Sequence, residues 1–195
     1  MKKEDYLYEI IKKEGKITSK KVTELGYHRI YLTFLLKQNR IYKIGRGIYS
    51  INKEYSINPL YEFQKNNKQI IYSCFTALNL LGFLKKAPKM VEISVPQGYN
   101  ASRYQNCMIF YNSSINYNIG ITKIKTNDGY IKVYELERSI CDIIKNENRF
   151  DHREYNKLIN YYFNKDDIDY HKLLDYSKLL KVSHKVQNYL SLFKA

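Results

Sequence analysis

The sequence predicts an α+β protein in two parts. An N-terminal winged helix-turn-helix is followed by a mixed α/β domain with a small sheet and a helical C-terminal part. Three observations predict this. The first 51 residues hold three short helical periods closed by two apolar runs around a glycine-flanked arginine. Residues 91–134 carry alternating apolar runs and a hairpin signal, as strands do. From Glu137 onward the apolar period is helical.

In the first part, Tyr6, Leu7, Ile10 and Ile11 fall at one-face spacing and predict a first helix, ended by Gly15. Ile17 is extended, and Thr18 or Ser19 can cap a short second helix carrying Val22 and Leu25. Gly26 makes the turn. A third helix is predicted from about His28 to Gln38, burying Leu32, Leu35 and Leu36. The runs Ile41–Ile44 and Ile48–Ile51 then flank Gly45-Arg46-Gly47, which predicts a hairpin with glycines where φ needs to be positive. Such a unit docks a helix on a nucleic-acid groove and lays the hairpin beside it.

The polar stretch 52–58 before Pro59 reads as a boundary, giving domains 1–55 and 59–195. In the second, a helix is predicted at about 59–66. Ile70-Ile71-Tyr72 leads into another from about Ser73, as cap, to Leu84. Val91–Val95 alternates strictly and predicts a half-buried strand, stopped by Pro96. Residues 107–111, 119–125 and 130–134 are further strands, the last two joined by the turn Asn127-Asp128-Gly129. Four helices follow, marked by Ile140, Ile143 and Ile144, by Tyr155, Leu158, Ile159 and Tyr162, by Leu173, Leu174 and Leu180, and by Val186, Tyr189, Leu190 and Phe193.

Charge sharpens the reading of the first domain. The chain carries a formal +14, half of it in residues 1–58, so charge density there is more than twice that of the rest. A basic unit concentrates phosphate and binds nucleic acid with salt-dependent affinity. Lys-, Asn- and Tyr-rich usage also follows from an AT-rich genome, so charge gains meaning only from its place on a helix-turn-helix and hairpin. No apolar run approaches the roughly 20 residues of a membrane span. The amino terminus, with Glu4 and Asp5, does not read as a secretory signal. Cys74, Cys107 and Cys141 fit reduced, mostly buried thiols of a cytoplasmic protein, and no zinc-ligand spacing links them to the histidines.

With Leu32, Leu35 and Leu36 facing the core, the 100° step points His28, Arg29, Thr33 and Lys37 outward as groove candidates. Arg29 can take a guanine edge or a phosphate. Thr33 can meet a thymine methyl or a phosphate, and Lys37 suits the DNA backbone. Lys20 and Lys21, at the start of the second helix, suit phosphates. Arg46 at the hairpin tip reaches a minor groove or a phosphate, with Lys43 on the adjoining strand.

No enzyme is expected. Glu135, Glu137, Arg138 and Asp142 cluster after a strand, and paired carboxylates there would suit Mg²⁺ in a nuclease. A structural role is the stronger reading: Glu137 favours a helix dipole, and Asp142 stands four residues after Arg138 on one face. His152, His171 and His184 sit at helix starts as surface or capping residues. Gly45-x-Gly47 is a hairpin turn and no phosphate-binding loop. No cofactor is expected.

Two stretches carry a family resemblance. The first is Ile17-Thr18 through Leu25-Gly26, then Leu32, Leu35-Leu36 and Gly45-Arg46-Gly47-Ile48-Tyr49. It resembles the N-terminal winged helix of AbiEi-type antitoxins of type IV toxin–antitoxin systems, which act in abortive infection against phage. The second is Ile71 through Leu78, Gly82-Phe83, and Val91 to Pro96 with Gly98. It looks like the opening of that family's C-terminal domain, and Val133 to Asp142 is similar to its "ERTxxD" segment. Tyr27-His28 departs from the family's small aliphatic followed by Ser or Thr, and Ser139 stands where the family has Thr. The resemblance implies a DNA-binding autorepressor acting on inverted repeats in the promoter of its own two-gene operon. It also implies a functional partner, a nucleotidyltransferase-like toxin, countered without a stable complex. Two other readings stay open: a winged-helix regulator of a defence locus without a toxin, and a metal-dependent nuclease.

Overall fold

The structure, a computed structural model, describes residues 2–193. Those residues form a mixed α+β protein with ten α-helices and two sheets. The chain divides into two compact units, Met1–Pro59 and Leu60–Ala195.

In the first unit, α1 (Lys3–Glu14) ends where Gly15 turns left-handed, at φ 75°. The short strand β1 (Lys16–Thr18) leads directly into α2 (Ser19–Glu24), whose N-cap is Thr18: its hydroxyl accepts the Lys21 N–H at 3.1 Å. Helix α3 (Ile30–Lys37) and the hairpin β2 (Tyr42–Gly45) and β3 (Ile48–Ser50) follow. The three strands pair antiparallel in the order β1-β3-β2. Leu7, Ile11, Ile17, Val22, Leu32, Leu35 and Ile41 form the core between helices and sheet. Arg40 fastens α3 to α1. It lies 3.9 Å over the Tyr8 ring and pairs with Asp5 at 2.7 Å, and that hydrogen bond holds the Asp5 carboxyl below the usual range.

Three expectations need correction here. The third helix starts at Ile30, two residues later than the apolar spacing predicts. The Tyr27 N–H still closes the preceding turn onto the Val22 carbonyl at 3.0 Å, and Gly26 is left-handed, so the chain enters α3 only after His28 and Arg29. Tyr6 and Leu25, expected in the core, are exposed. A unit this small has too little interior to cover every apolar position.

The second unit opens with α4 (Pro59–Asn66), β4 (Ile71–Tyr72) and α5 (Cys74–Leu80). Strands β5 (Val91–Pro96) and β6 (Cys107–Asn112), a short α6 (Ser114–Asn118), and the hairpin β7 (Ile121–Thr126) and β8 (Gly129–Tyr134) come next. Helices α7 (Leu136–Lys145), α8 (His152–Phe163), α9 (Tyr170–Leu179) and α10 (Ser183–Phe193) complete it. The sheet order is β6-β5-β4-β8-β7; β5–β6 and β4–β8 are parallel, and the other pairs antiparallel. One core cluster joins the C-terminal helices to α5 and Phe110, through Leu78, Ile140, Ile143, Leu158, Tyr162, Phe163 and Leu173. The other is built on strand residues Tyr72, Ile93, Val95, Ile131 and Val133, with Leu60, Tyr61 and Phe63 of α4 against it.

That double cover overturns the reading of residues 91–95 as a half-buried strand. Glu92, Ile93, Ser94 and Val95 are all buried. The polar members of the alternation meet partners in place of water. Asn112 donates to the Ser94 hydroxyl at 3.2 Å, and the Glu92 carboxylate accepts the Thr76 N–H at 2.8 Å. Glu92 therefore supplies the cap at the start of α5 that was expected of Ser73, whose buried hydroxyl makes no such bond. Gln64 plays a similar bridging part. Its buried amide donates to the carbonyls of Ile70 and Lys132 and accepts the Lys132 N–H at 2.6 Å, tying α4 to β4 and β8.

Candidate nucleic-acid interface

The sequence-predicted residues Lys20, Lys21, His28, Arg29, Thr33, Lys37, Lys43 and Arg46 are all exposed on the first unit. Backbone contacts bring several together. The Gly47 carbonyl accepts both the Ser19 N–H, at 2.9 Å, and the Ser19 hydroxyl, at 3.3 Å. The hairpin tip is thereby pinned to the start of α2, and Arg46 stands next in the chain to one partner while Lys20 and Lys21 follow the other. Gly47 adopts φ +69°, and a Cβ there would sit 3.2 Å from the Ser19 hydroxyl oxygen, so glycine allows this close approach. Opposite the tip, the register slips between Lys43 and Gly45, a bulge beside which Lys43 stays exposed.

The cations differ in how free they are. Lys20 pairs with Glu24 at 3.5 Å across one helical turn, an exposed pair worth little against a phosphate. Arg29 precedes α3, and its Nε donates to the Thr23 hydroxyl at 3.2 Å, which steadies the guanidinium and leaves its terminal nitrogens. Lys21, Lys37, Lys43 and Arg46 make no ion pair among the described residues. His28 accepts the Ile30 N–H through Nδ1 at 3.2 Å, so in the neutral ring Nε2 carries the proton and is the atom free to donate outward.

Thr33 and Lys37 lie on the outward face of α3, as the helical step predicts. Sequence reasoning missed their neighbours. Ile30 and Phe34 are exposed on that same face, at 42% and 40%. The signal was present: with Leu32 and Leu35 inward, the spacing i, i+3, i+4, i+7 puts Ile30, Thr33, Phe34 and Lys37 in one outward stripe.

The acidic cluster of the second unit is bound up in structural contacts. Arg138 is fully buried and grips Asp142 through Nε and Nη2, at 3.0 and 3.3 Å. Its Nη1 donates to the carbonyls of Asn116 and Ile119 at 2.7 and 2.8 Å, and the guanidinium lies 4.2 Å over the Tyr134 ring. Burial raises the Asp142 carboxyl above its usual value against the opposing pull of Arg138. Glu135 accepts from Lys172 and Tyr176 at 3.1 and 3.0 Å. Glu137 is buried, and desolvation raises it too. Among the described residues no group of three or more His, Cys, Asp or Glu is placed to hold a metal ion. Cys74 and Cys141 are buried, Cys107 is half-buried, and all three are free thiols. Burial pushes the Cys141 thiol up to about 12. A basic cleft of about 600 Å³ also lies on this unit, lined in part by Lys145, Lys181 and Lys185, the last paired with Glu147 at 2.7 Å.

No family model matches the chain. No curated protein matches it either. Among solved structures it is similar to the RV2827C protein from Mycobacterium tuberculosis, at 14% identity and a TM-score of 0.47, over 90% of this chain and 75% of that one. No described helix is long and apolar enough to cross a membrane.

Proposed function

We propose that the first unit is a winged helix-turn-helix that binds double-stranded DNA. In this reading α2 and α3 are the helix-turn-helix, α3 enters the major groove, and the β2–β3 hairpin is the wing. One observation carries it: Lys21, Lys37, Lys43 and Arg46 project from α2, α3 and the hairpin of one small unit, exposed and with no acidic partner among its described residues. Cations held apart from acids in this way are what counterion release at phosphates requires. A solvated protein surface would more often mix both signs.

The wider role is a cytoplasmic autorepressor and the antitoxin of a type IV pair. It counteracts a nucleotidyltransferase-like toxin without a stable complex and performs no catalysis of its own. The sequence resemblance to AbiEi-type antitoxins supports this part. Two cellular readouts test it. A reporter driven by the DNA upstream of this gene should fall when the chain is supplied in trans. Growth arrested by a nucleotidyltransferase-like toxin encoded in the same operon, whose presence beside this gene is itself the first check, should resume when the chain is co-expressed. Unchanged reporter output would remove the repressor role, and arrest that persists would remove the antitoxin role.

A further inference from the structure

The outward stripe of α3 is unusual for an exposed helix face. Such faces normally carry charged and polar groups. Here Ile30 and Phe34 present mostly carbon, Thr33 adds a methyl beside its hydroxyl, and only Lys37 is charged. The Phe34 ring is held edge-on to Tyr31 at 6.3 Å, so it is oriented before any partner arrives. Two adjacent apolar side chains on one face of a short helix leave carbon available to a partner.

Two features identify the occupant. The cations bordering the stripe, Arg29 before α3 and Lys37 at its end, suit a polyanion better than an apolar protein surface. A second copy of the chain fits poorly. The helix has eight residues, a length of about 12 Å, whereas a stable dimer covers about 800 Å² per partner. Within a duplex the apolar feature on a base edge in the major groove is the thymine C5-methyl group. We propose that Ile30 and Phe34, with the Thr33 methyl, read thymine methyl groups. The inference rests on the DNA-binding reading above and adds that its base specificity is apolar, with Arg29 and Lys37 fixing the register on phosphates.

Uracil substitution isolates the methyl. Duplexes bound by the protein are selected from a random pool, and each thymine is replaced singly by deoxyuridine. Affinities are read by fluorescence anisotropy at constant salt. The wild type is expected to lose about fourfold at each methyl that is read, the ratio matching about 0.8 kcal/mol per buried carbon. Ile30→Ser or Phe34→Ser is expected to abolish that difference while keeping the salt slope on random DNA. Uracil tolerated at every position of a tightly and selectively bound duplex overturns the inference and leaves DNA binding intact. So does a thymine preference that persists undiminished in both variants. A solution dimer that Phe34→Ser separates, with thymine and uracil bound alike, assigns the stripe to self-association and also overturns it. Failure to enrich any sequence refutes the DNA reading itself, and the inference with it. If the variants do not fold, the uracil series on the wild-type protein still decides.

Discussion

Glu92 offers the sharpest quantitative test of the second unit. It is 4% exposed in a strand covered on both faces, and its carboxylate accepts the Thr76 N–H at the start of α5. Burial outweighs those backbone hydrogen bonds, and Glu154 adds like charge, so the group is pushed up from 4.5 to about 7. A folded-state value above the unfolded one means that the native protein holds the proton longer. Stability is then greatest below pH 4.5, falls as pH rises toward 7, and is flat above that. At 1.36 kcal/mol per pH unit, the loss between pH 4.5 and 8 is about 3 kcal/mol. Glu92→Gln keeps an oxygen for the Thr76 N–H and removes the titration. Urea unfolding followed by circular dichroism, on both proteins at both pH values, should show the wild type losing about 3 kcal/mol relative to the variant. Parallel stability across that range would show that Glu92 is not buried as described.

Other expectations concern single contacts. Asp142→Asn leaves the Arg138 guanidinium buried without its counter-charge and should cost about 3–5 kcal/mol by chemical denaturation; a loss below about 1 kcal/mol would place the pair in water. Gly120 has φ +70°, and a Cβ there would lie 3.0 Å from both Arg138 Cβ and Tyr176 Oη, whereas one on Gly82 meets nothing within 4 Å. Gly120→Ala should therefore lower the melting temperature clearly more than Gly82→Ala, which carries backbone strain of about 1 kcal/mol alone; equal losses would contradict the packing. Arg46→Ala should weaken binding to all DNA sequences and reduce the salt slope by about one. An unchanged slope would refute a phosphate contact at the hairpin tip.

The elements were legible wherever local chemistry decides them. Gly15, Gly26 and Gly47 mark helix ends and a turn through left-handed backbone, although Gly45, expected to share that conformation, does not; Thr18 marks a cap through its hydroxyl, and turn-forming residues mark the hairpin at Asn127-Asp128. What tertiary packing decides was not legible. The alternation of residues 91–95 says that two faces differ, but not that the polar face is also covered. Glu92 and Ser94 read as solvent-facing until α5 and the C-terminal helices lie over them. The cap at α5 passes from Ser73 to Glu92, sixteen residues beyond the Thr76 N–H it accepts, a pairing that local sequence does not express.

At the candidate interface, exposure of Thr33 and Lys37 follows from periodicity around Leu32 and Leu35, whereas Lys20 and Lys21 on α2 and Lys43 and Arg46 in the hairpin are named for their position and charge. Ile30 and Phe34 were passed over because apolar residues are assigned inward by default, although their helical phase put them outward. The start of α3 lies two residues later than the period predicts because His28 and Arg29 fit the period while belonging to the turn. That shift moves Arg29 from the helix face to its entry, where Thr23 holds it.

The central claim is sequence-specific DNA binding by the first unit. It is tested most directly by a gel-shift titration of the full chain on the DNA upstream of its gene against a scrambled duplex, at about 150 mM salt, where non-specific affinity is weak. Preference for the upstream duplex by roughly a thousandfold or more is the predicted result. Equal, weak binding to both duplexes would contradict the claim.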